Sequence, residues 1–187
     1  MSQSQPIKPE HVLESRTLYK GRILNLRLDK IVMDGDYHTE REIVEHGQVV
    51  AIVPLDNQGN VILVRQYRLA IGEISLEIPA GGMDKGETPP EAAIRELREE
   101  TGLRAGQLES LGGFYVSPGY CTEYIHLYVA RQLSEDPLTP DEDEVIHVES
   151  YPLTEAPDLI ATQKITDAKS IIGLLRAHSP SNSDRTR

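Results

Sequence analysis

The segment from Gly81 to Leu103 constrains this chain more than any other part of its sequence. It opens with a loop and continues as Thr88-Pro89-Pro90-Glu91, a pattern typical of helix N-termini: a threonine cap, a proline in the first turn and a glutamate that can bond back to the cap. Gly102 is the small residue expected just after a helix C-terminus. The spacing predicts a helix of about a dozen residues, roughly 18 Å long, that begins near Pro89.

Three glutamates lie close together on the predicted helix. Because successive residues turn by about 100°, Glu96, Glu99 and Glu100 fall within roughly a third of the circumference, beside an apolar sector. Like charges at these spacings repel, so a cation would stabilise the cluster, and Mg²⁺ and Mn²⁺ prefer carboxylate oxygens. Arg95 lies four residues before Glu99 and can brace it. The glutamates alone leave two interpretations open, a metal site and a solvated acidic helix surface.

The spacing of the whole segment resembles a known family signature. Gly81 is followed by five residues and Glu87, then by seven residues and Arg95-Glu96-Leu97, and, after one residue in each case, by Glu99-Glu100 and Gly102-Leu103. This arrangement matches the box of the Nudix hydrolases at every defined position. The resemblance implies an α+β fold, an α/β/α sandwich with a mixed central sheet. It also implies a loop-helix-loop box that binds divalent metal and hydrolyses a nucleoside diphosphate linked to another moiety.

The bulk composition limits the class of partner. A chain of 187 residues suits one domain with a small appendage, and its net charge of -11 argues against nucleic-acid backbones as the main partner. Cations held by an acidic site would let that site accept phosphate. The single Cys121 excludes an internal disulfide framework, no apolar run approaches the roughly 20 residues of a membrane helix, and the N-terminus has no signal-peptide pattern. We therefore expect a cytoplasmic protein with a small-molecule substrate and no membrane partner.

The chain divides into three predicted regions. Residues 1–47 contain alternating apolar and polar residues around Asp34-Gly35-Asp36, which predicts a small N-terminal antiparallel β-sheet built on a hairpin. Residues 48–178 form the predicted Nudix hydrolase domain, and residues 179–187 form a polar tail that we expect to be disordered. Because an isolated hairpin is marginal in water, we expect the N-terminal region to pack on the main domain or on a second subunit.

Two apolar strands are expected at the centre of the hydrolase domain. Val49–Leu55 is a nearly continuous apolar run, the next five residues have turn chemistry, and Val61–Tyr67 is a second strand. Strands joined by so short a turn predict a central hairpin. Further along, Leu133–Val145 holds six acidic residues and two prolines, which predicts an exposed acidic loop.

The metal ligands follow from the helix and from the family resemblance. Glu96 and Glu100, one helical turn apart, are the first choices, and Glu99 is a third ligand or bridges two ions. The resemblance adds the backbone carbonyl of Ala80, just before the box glycine. It implies two or three Mg²⁺ ions, for which Mn²⁺ can substitute, to clamp the diphosphate and activate water.

The general base is assigned by resemblance to hydrolases of the ADP-ribose group, which take it from a mobile acidic loop after the box. In this chain that loop holds Asp141 to Glu144. Glu142 is the first choice for the base and Glu144 for an additional metal ligand, and the choice between them stays open. Glu99 completes the set of catalytic candidates. A solvated acidic loop without a catalytic role is the alternative.

The substrate-binding residues are also assigned by resemblance. Ser117-Pro118-Gly119 followed by Glu123 resembles ADP-ribose pyrophosphatases, and Glu123 would contact the terminal ribose hydroxyls. Arg68 is the better match to the arginine that this group supplies to the nucleotide, and Arg65 is the lesser one. Arg41 would help hold the adenine across a dimer interface, although a surface ion pair explains it equally well. The complete set of candidates is Arg41, Arg65, Arg68, Gly82, Pro118 and Glu123.

The predicted activity is the Mg²⁺-dependent hydrolysis of ADP-ribose to AMP and ribose 5-phosphate by a homodimer. One alternative keeps the chemistry and changes the substrate to another nucleotide sugar, such as GDP-mannose or ADP-glucose, or to NADH. A second alternative is a Nudix domain that senses ligands like ADP-ribose without turnover. The intact glutamates weigh against that second alternative.

Overall fold

The computed structural model describes residues 9–33, 36–139 and 145–178 of the chain. These residues form two compact units. The first unit contains the described residues up to Gly47 together with Tyr115–Glu123. The second contains Gln48–Phe114 and the described residues from Tyr124 onward.

The described part of the first unit is built on a three-stranded antiparallel sheet. Its strands are β1 (His11–Lys20), β2 (Leu24–Met33) and β3 (Tyr37–His46), with β2 in the centre. The β2–β3 register runs from Leu24 opposite His46 to Met33 opposite Tyr37, which confirms the predicted antiparallel pairing. Asp36 lies just before β3 with a φ of 60°, a turn conformation that aspartate tolerates. Residues 34 and 35 of the predicted turn lie outside the described residues.

The segment Tyr115–Glu123 is bound to strand β3, which the sequence pattern does not predict. The backbone N–H of Val44 donates to the carbonyl of Tyr120 at 2.7 Å, and the N–H of Thr122 donates to the carbonyl of Val44 at 3.0 Å. The Thr122 hydroxyl also accepts a bond from the backbone N–H of His46 at 2.9 Å. The Pro118 turn is therefore part of the first unit, where backbone bonds hold it.

The second unit contains the remaining elements and, among its described residues, two sheets. The elements are β4 (Val49–Pro54), β5 (Asn60–Arg68), β6 (Glu73–Glu77), β7 (Ala80–Gly82), α1 (Pro89–Thr101), β8 (Leu103–Tyr115), β9 (Tyr124–Glu135), β10 (Ile146–Pro152), a 3₁₀ turn (Leu153–Glu155), α2 (Ala156–Ala161) and α3 (Ala168–His178). One sheet has the order β7-β4-β9-β8, and the other has the order β10-β5-β6. Strand β4 pairs antiparallel with β7 and parallel with β9, so the first of these sheets is mixed.

The predicted central hairpin is wrong, because β4 and β5 belong to different sheets. The turn itself forms as expected, since Asp56 accepts bonds from the N–H groups of Gln58 and Asn60, both at 2.8 Å. The two strands meet at the bridge between Leu55 and Val61 and then separate. A short turn favours pairing of its two strands, but here the long-range partners of each strand decide the sheet order.

Strand β4 is buried on both faces, which places helices on either side of its sheet. Its odd-numbered residues enter a core that includes Leu63 of β5 and Leu174 of α3. Its even-numbered residues Val50 and Ile52 pack against Leu97 of α1. Helix α1 therefore covers one face of the mixed sheet, while the second sheet and α3 cover the other.

The acidic segment begins later than predicted. Strand β9 continues to Glu135, so Leu133 to Glu135 are extended and not part of a loop. Asp136 is then fixed to helix α1, because Arg98 donates to its carbonyl at 3.0 Å and to its carboxylate at 3.1 Å. No described helix is long and apolar enough to cross a membrane.

Candidate active site

Helix α1 has the ends that its sequence predicts. The backbone N–H and the hydroxyl of Thr88 both donate to the carboxylate of Glu91, at 2.9 and 2.6 Å. At the other end Gly102 adopts a φ of 72°, which suits glycine, and its N–H donates to the carbonyl of Arg98 at 3.0 Å. These local contacts determine where the helix begins and ends. Glu96, Glu99 and Glu100 therefore all lie within it.

The packing of α1 sets which of its faces is buried. Ala92, Ala93 and Leu97 are fully buried against the mixed sheet. This rotation brings Glu96 and Glu100 to exposures of only 8% and 7%. The interpretation of a solvated acidic surface is therefore wrong for these two residues, and buried carboxylates require a cationic or hydrogen-bonding partner.

Arg95 is that partner for much of the group. Its guanidinium donates through Nη1 to Glu96 at 2.7 Å and to Glu99 at 2.8 Å, which confirms the predicted brace to Glu99. Through Nε and Nη2 it also binds both carboxylate oxygens of Glu87, at 3.0 and 2.9 Å. These bonds lower the pKa of Glu87 and raise that of Arg95. We refer to Glu87, Arg95, Glu96, Glu99 and Glu100 as the box cluster.

Strand β7 lies directly against the box cluster. A Cβ atom placed on Gly81 would lie 2.2 Å from the carboxyl carbon of Glu96, so a side chain at this position would displace the glutamate. The N–H of Ala80 donates to Glu100 at 3.2 Å, and the carbonyl of Gly82 accepts from Arg95 at 2.9 Å. The three residues of β7 thus hold the glutamates at the end of the sheet.

The box cluster fits a divalent cation by its chemistry. It offers hard carboxylate oxygens in excess over its single guanidinium, and these are the donors that Mg²⁺ and Mn²⁺ prefer. In the described residues the carboxylates are spread around Arg95, and no three His, Cys, Asp or Glu side chains converge tightly enough to enclose an ion.

Arg68, the preferred substrate-binding candidate, forms a fork with Glu77. Its Nε and Nη2 atoms donate to the two carboxylate oxygens of Glu77 at 2.9 and 2.7 Å, and Lys169 of α3 also contacts this carboxylate. Burial alone would raise the pKa of Glu77, but the bonds from Arg68 and the charge of Lys169 lower it to about 2. Lys169 also contacts Asp167 at 3.0 Å. We refer to Arg68, Glu77, Asp167 and Lys169 as the Glu77 cluster.

The sequence reasoning missed Glu77 and Lys169. Along Ile74 to Ile78 the polar residues alternate with apolar ones, which indicates a solvent-facing position for Glu77. In the structure Glu77 is buried, whereas Ile74 is exposed. Lys169 is more than ninety positions away from Glu77 in the printed sequence, so no local pattern could pair them.

Arg65, the lesser candidate, is bound to a neighbouring strand. It donates to both oxygens of Glu149 on β10, at 2.8 and 3.1 Å, and the Tyr151 hydroxyl donates to the same carboxylate at 2.5 Å. The bonds from Arg65 and Tyr151 lower the pKa of Glu149 to about 2. These contacts join β5 and β10, which gives Arg65 a structural role within the sheet.

The other substrate-binding candidates lie in the first unit. Arg41 on β3 pairs with Glu10 at 2.6 Å, so the surface ion pair considered for Arg41 does form. Pro118 lies in the turn bound to β3, and half-buried Glu123 follows that turn, with its backbone carbonyl accepting from Val116 at 3.2 Å. Glu142 and Glu144 lie outside the described residues.

The structure therefore places the predicted site residues that it describes in four groups. Those at the box cluster are Ala80, Gly82, Glu96, Glu99 and Glu100. Arg68 belongs to the Glu77 cluster in the same unit. Arg65, also on β5, is paired with Glu149 of the neighbouring strand β10. Arg41, Pro118 and Glu123 belong to the first unit.

Comparison with known sequences agrees with the box assignment. The sequence model of the NUDIX domain matches residues 45–172 of the chain. The chain is 38% identical over 167 residues to a methanol dehydrogenase activator of Bacillus methanolicus, covering 88% of this chain and 90% of that protein. It is 34% identical over 163 residues to an ADP-ribose pyrophosphatase of Bacillus subtilis (strain 168), covering 86% and 88% of the two chains.

Comparison with solved structures bears on the fold. A crystal structure described as an ADP compounds hydrolase superposes with a TM-score of 0.88, covering 98% of this chain and 100% of the other, at 24% sequence identity. This similarity confirms the predicted α+β class, a sandwich with a mixed sheet and an additional antiparallel sheet.

Proposed function

The chain belongs to the Nudix hydrolase family, and we propose that it hydrolyses the diphosphate of ADP-ribose to AMP and ribose 5-phosphate with Mg²⁺. The observation that carries the proposal is the box cluster, in which buried glutamates on α1 lie against the glycine strand β7. The substrate is proposed from the relative named an ADP-ribose pyrophosphatase and from the Ser117-to-Glu123 pattern.

Diphosphate hydrolysis needs an oriented water, a base and positive charge at the phosphate oxygens. Bound divalent ions supply that charge and lower the pKa of water. Glu96, Glu99, Glu100 and the Ala80 carbonyl would hold them. Arg95 orients Glu96 and Glu99 through a shared nitrogen, and Gly81 leaves the space that the Glu96 carboxylate occupies.

The base is proposed to be Glu142, with Glu144 as an additional metal ligand. The acidic character of the segment and the family resemblance support this assignment. Separate replacements Glu142→Gln and Glu144→Gln are expected to produce one large loss of kcat, because proton removal by a positioned base contributes about 10²- to 10⁴-fold. If neither variant loses activity, the base lies elsewhere, with Glu99 as the next candidate.

Among the substrate-binding proposals, Arg68 has the strongest support. It lines a cavity of about 400 Å³ together with Ile71, Ser75 and Thr166, and 39% of its side chain is exposed. A cavity of this size is comparable with small-molecule sites, which span roughly 300–1,000 Å³. Gly82, Pro118, Glu123, Arg41 and Arg65 remain proposals of lower rank. We also propose that the enzyme is a cytoplasmic homodimer, in which the N-terminal strands contribute to the dimer.

The proposal is tested by assaying a panel of nucleoside diphosphate derivatives with Mg²⁺ and with Mn²⁺ and identifying the products by mass. ADP-ribose is expected to give AMP and ribose 5-phosphate at the highest kcat/KM. Higher kcat/KM for GDP-mannose, ADP-glucose or NADH would replace the proposed substrate and keep the reaction class.

A regulatory role is the second candidate, because one relative is named an activator of methanol dehydrogenase. In that case the domain would bind a nucleotide ligand without turnover. Tight binding of ADP-ribose in the calorimeter, combined with no product from any compound in the panel, would favour this candidate and contradict the hydrolase.

A further inference from the structure

The carboxylate of Glu77 is shared by two cations that come from distant parts of the second unit. Arg68, at the end of β5, binds both of its oxygens at 2.9 and 2.7 Å. Lys169, in the first turn of α3, contacts Oε2, the oxygen that Arg68 reaches through Nη2. Glu77 is only 3% exposed, so both cations meet at a carboxylate that is screened from solvent.

The lysine is itself held in place. Its ammonium contacts Asp167 at 3.0 Å, and Asp167 also accepts bonds from the N–H and the hydroxyl of Ser170 at 2.9 and 2.6 Å. The Ser170 hydroxyl in turn accepts a bond from the N–H of Ile78, the residue after Glu77, at 2.8 Å. Two interactions therefore join the start of α3 to the end of β6: the hydrogen bond from the Ile78 N–H to Ser170 and the ion pair between Lys169 and Glu77.

This arrangement restrains a torsion that is otherwise soft. The terminal torsion of a glutamate has a broad energy profile, so a carboxylate that binds a single arginine can turn together with it. A second cation on one oxygen of Glu77 fixes the plane of the carboxylate, and the planar fork of Arg68 must then align with that plane. The guanidinium orientation thus depends on Lys169, because both side chains bind Oε2 of the same carboxylate.

Exposure separates the roles of the two cations. Arg68 keeps 39% of its side chain exposed at the wall of the 400 Å³ cavity, whereas Lys169 keeps 12%. Lys169 lines the same cavity, but its ammonium is directed at Glu77 and Asp167, so Arg68 is the cation with the larger surface available to a ligand.

We propose that Lys169 is a positioning residue, which aligns Arg68 for the nucleoside diphosphate through the shared carboxylate of Glu77. The inference rests on the proposed function for its ligand. It predicts that loss of Lys169 weakens substrate binding at Arg68 and leaves the chemical step at the box cluster nearly unchanged.

The kinetic test compares Lys169→Met with Lys169→Arg in the full chain, using ADP-ribose and Mg²⁺. For Lys169→Met we expect KM to rise roughly tenfold and kcat to stay within about twofold, while Lys169→Arg restores most of the KM. Lys30→Met is the matched control, since Lys30 also pairs with a glutamate, Glu14 at 2.8 Å, but on the first unit. Its KM should not change.

A double-mutant cycle separates positioning from a merely structural role. Because Lys169 acts through Arg68, adding Lys169→Met to Arg68→Met should raise KM no further than Arg68→Met alone. Additive effects, or a lowered melting temperature with an unchanged KM, would overturn the inference. If Lys169→Met does not fold, Asp167→Asn replaces it in the cycle, with an expected threefold rise in KM, on the order of the loss of one hydrogen bond.

A measurement without substrate keeps the inference separate from the proposed function. In the ligand-free wild type, the Arg68 Nε–H resonance is expected to be sharp and slow to exchange with solvent, and it should broaden in Lys169→Met but not in Lys30→Met. An unchanged resonance would overturn the positioning role. Absence of ADP-ribose turnover by the wild type would instead contradict the proposed function.

Discussion

The box cluster and the Glu77 cluster use the same kinds of side chain in opposite proportions. In the box cluster a single guanidinium, that of Arg95, contacts three carboxylates. In the Glu77 cluster two cations and two carboxylates are combined, and the most buried member, Glu77, receives both cations. Both clusters lie in the second unit and both include buried carboxylates.

The difference in proportion separates two uses of buried charge. A group with surplus carboxylates is incompletely neutralised and gains stability from a further cation. In a group with balanced charges the members restrain one another's geometry, although Arg68 also interacts through its charge with Glu100 of the box cluster. The first composition is suited to taking up metal, and the second is suited to holding an arginine at a fixed orientation.

The largest effect is expected from removing one of the excess carboxylates of the box cluster. In Glu100→Gln one carboxylate becomes a neutral amide of the same shape, so kcat for ADP-ribose with Mg²⁺ should fall on the order of 10³-fold because the metal clamp on the diphosphate is weakened. The melting temperature should change little. Near-normal turnover in this variant would remove Glu100 from the metal site.

The next largest effect is expected from removing the negative charge of Glu77, which balances the cations of its cluster. The pKa of Glu77 lies near 2 in the folded protein and near 4.5 ordinarily, so its ionised form stabilises the fold above about pH 4.5, and this contribution is lost as the pH falls toward 2. The contribution amounts to about 3 kcal/mol. Glu77→Gln should therefore lower the free energy of unfolding at pH 7 and flatten its decline between pH 4.5 and 2, measured by urea unfolding at several pH values.

Glu149→Gln is the control for that experiment. The pKa of Glu149 is also near 2, but 31% of its side chain is exposed, so solvent screens its pair with Arg65. We expect a clearly smaller change in acid sensitivity than for Glu77→Gln. Equal slopes in the two variants would show that burial does not distinguish these carboxylates.

The smallest effect asks whether a divalent ion can take the place of Arg95. Arg95→Met leaves carboxylates that repel, so we expect the melting temperature in EDTA to fall by about 5 °C, on the order of 2 kcal/mol for a chain of this size. Mg²⁺ should restore part of this loss. Arg98→Met is the matched control on the same helix, because Arg98 binds Asp136. Equal stabilisation by Mg²⁺ in both variants would contradict the idea of a carboxylate surplus.

Local chemistry made the box predictable. The cap at Thr88 and Glu91, the glycine at 102 and the spacing of the glutamates all act within one helix, so the sequence specifies them directly. The brace from Arg95 to Glu99 follows from the same helical spacing. The family resemblance then supplied the chemistry, and the NUDIX domain match agrees with it.

Long-range pairing made the remainder unpredictable. The sequence predicts the turn after Leu55 correctly. The strands on either side nevertheless enter different sheets, because β4 pairs with β9 and β5 pairs with β10, both of which are far away in the sequence. Two other contacts also join segments that are distant in the sequence: Tyr120 and Thr122 bind Val44, and Lys169 binds Glu77. The local sequence pattern of either segment does not predict its partner. Such contacts depend on topology and not on periodicity.

The parallel pairing of β4 with β9 also determines when the candidate site can assemble as the chain is synthesised. Val49 pairs with Ile125, so β5, β6, β7, α1 and β8 all leave the ribosome before β4 receives this partner. Helix α1 can nucleate early on its own cap, but the apolar layer on which it packs is complete only when Tyr128 and Ala130 of β9 arrive. We therefore expect the helix that carries the glutamates to gain the full support of its sheet only after β9 has been synthesised.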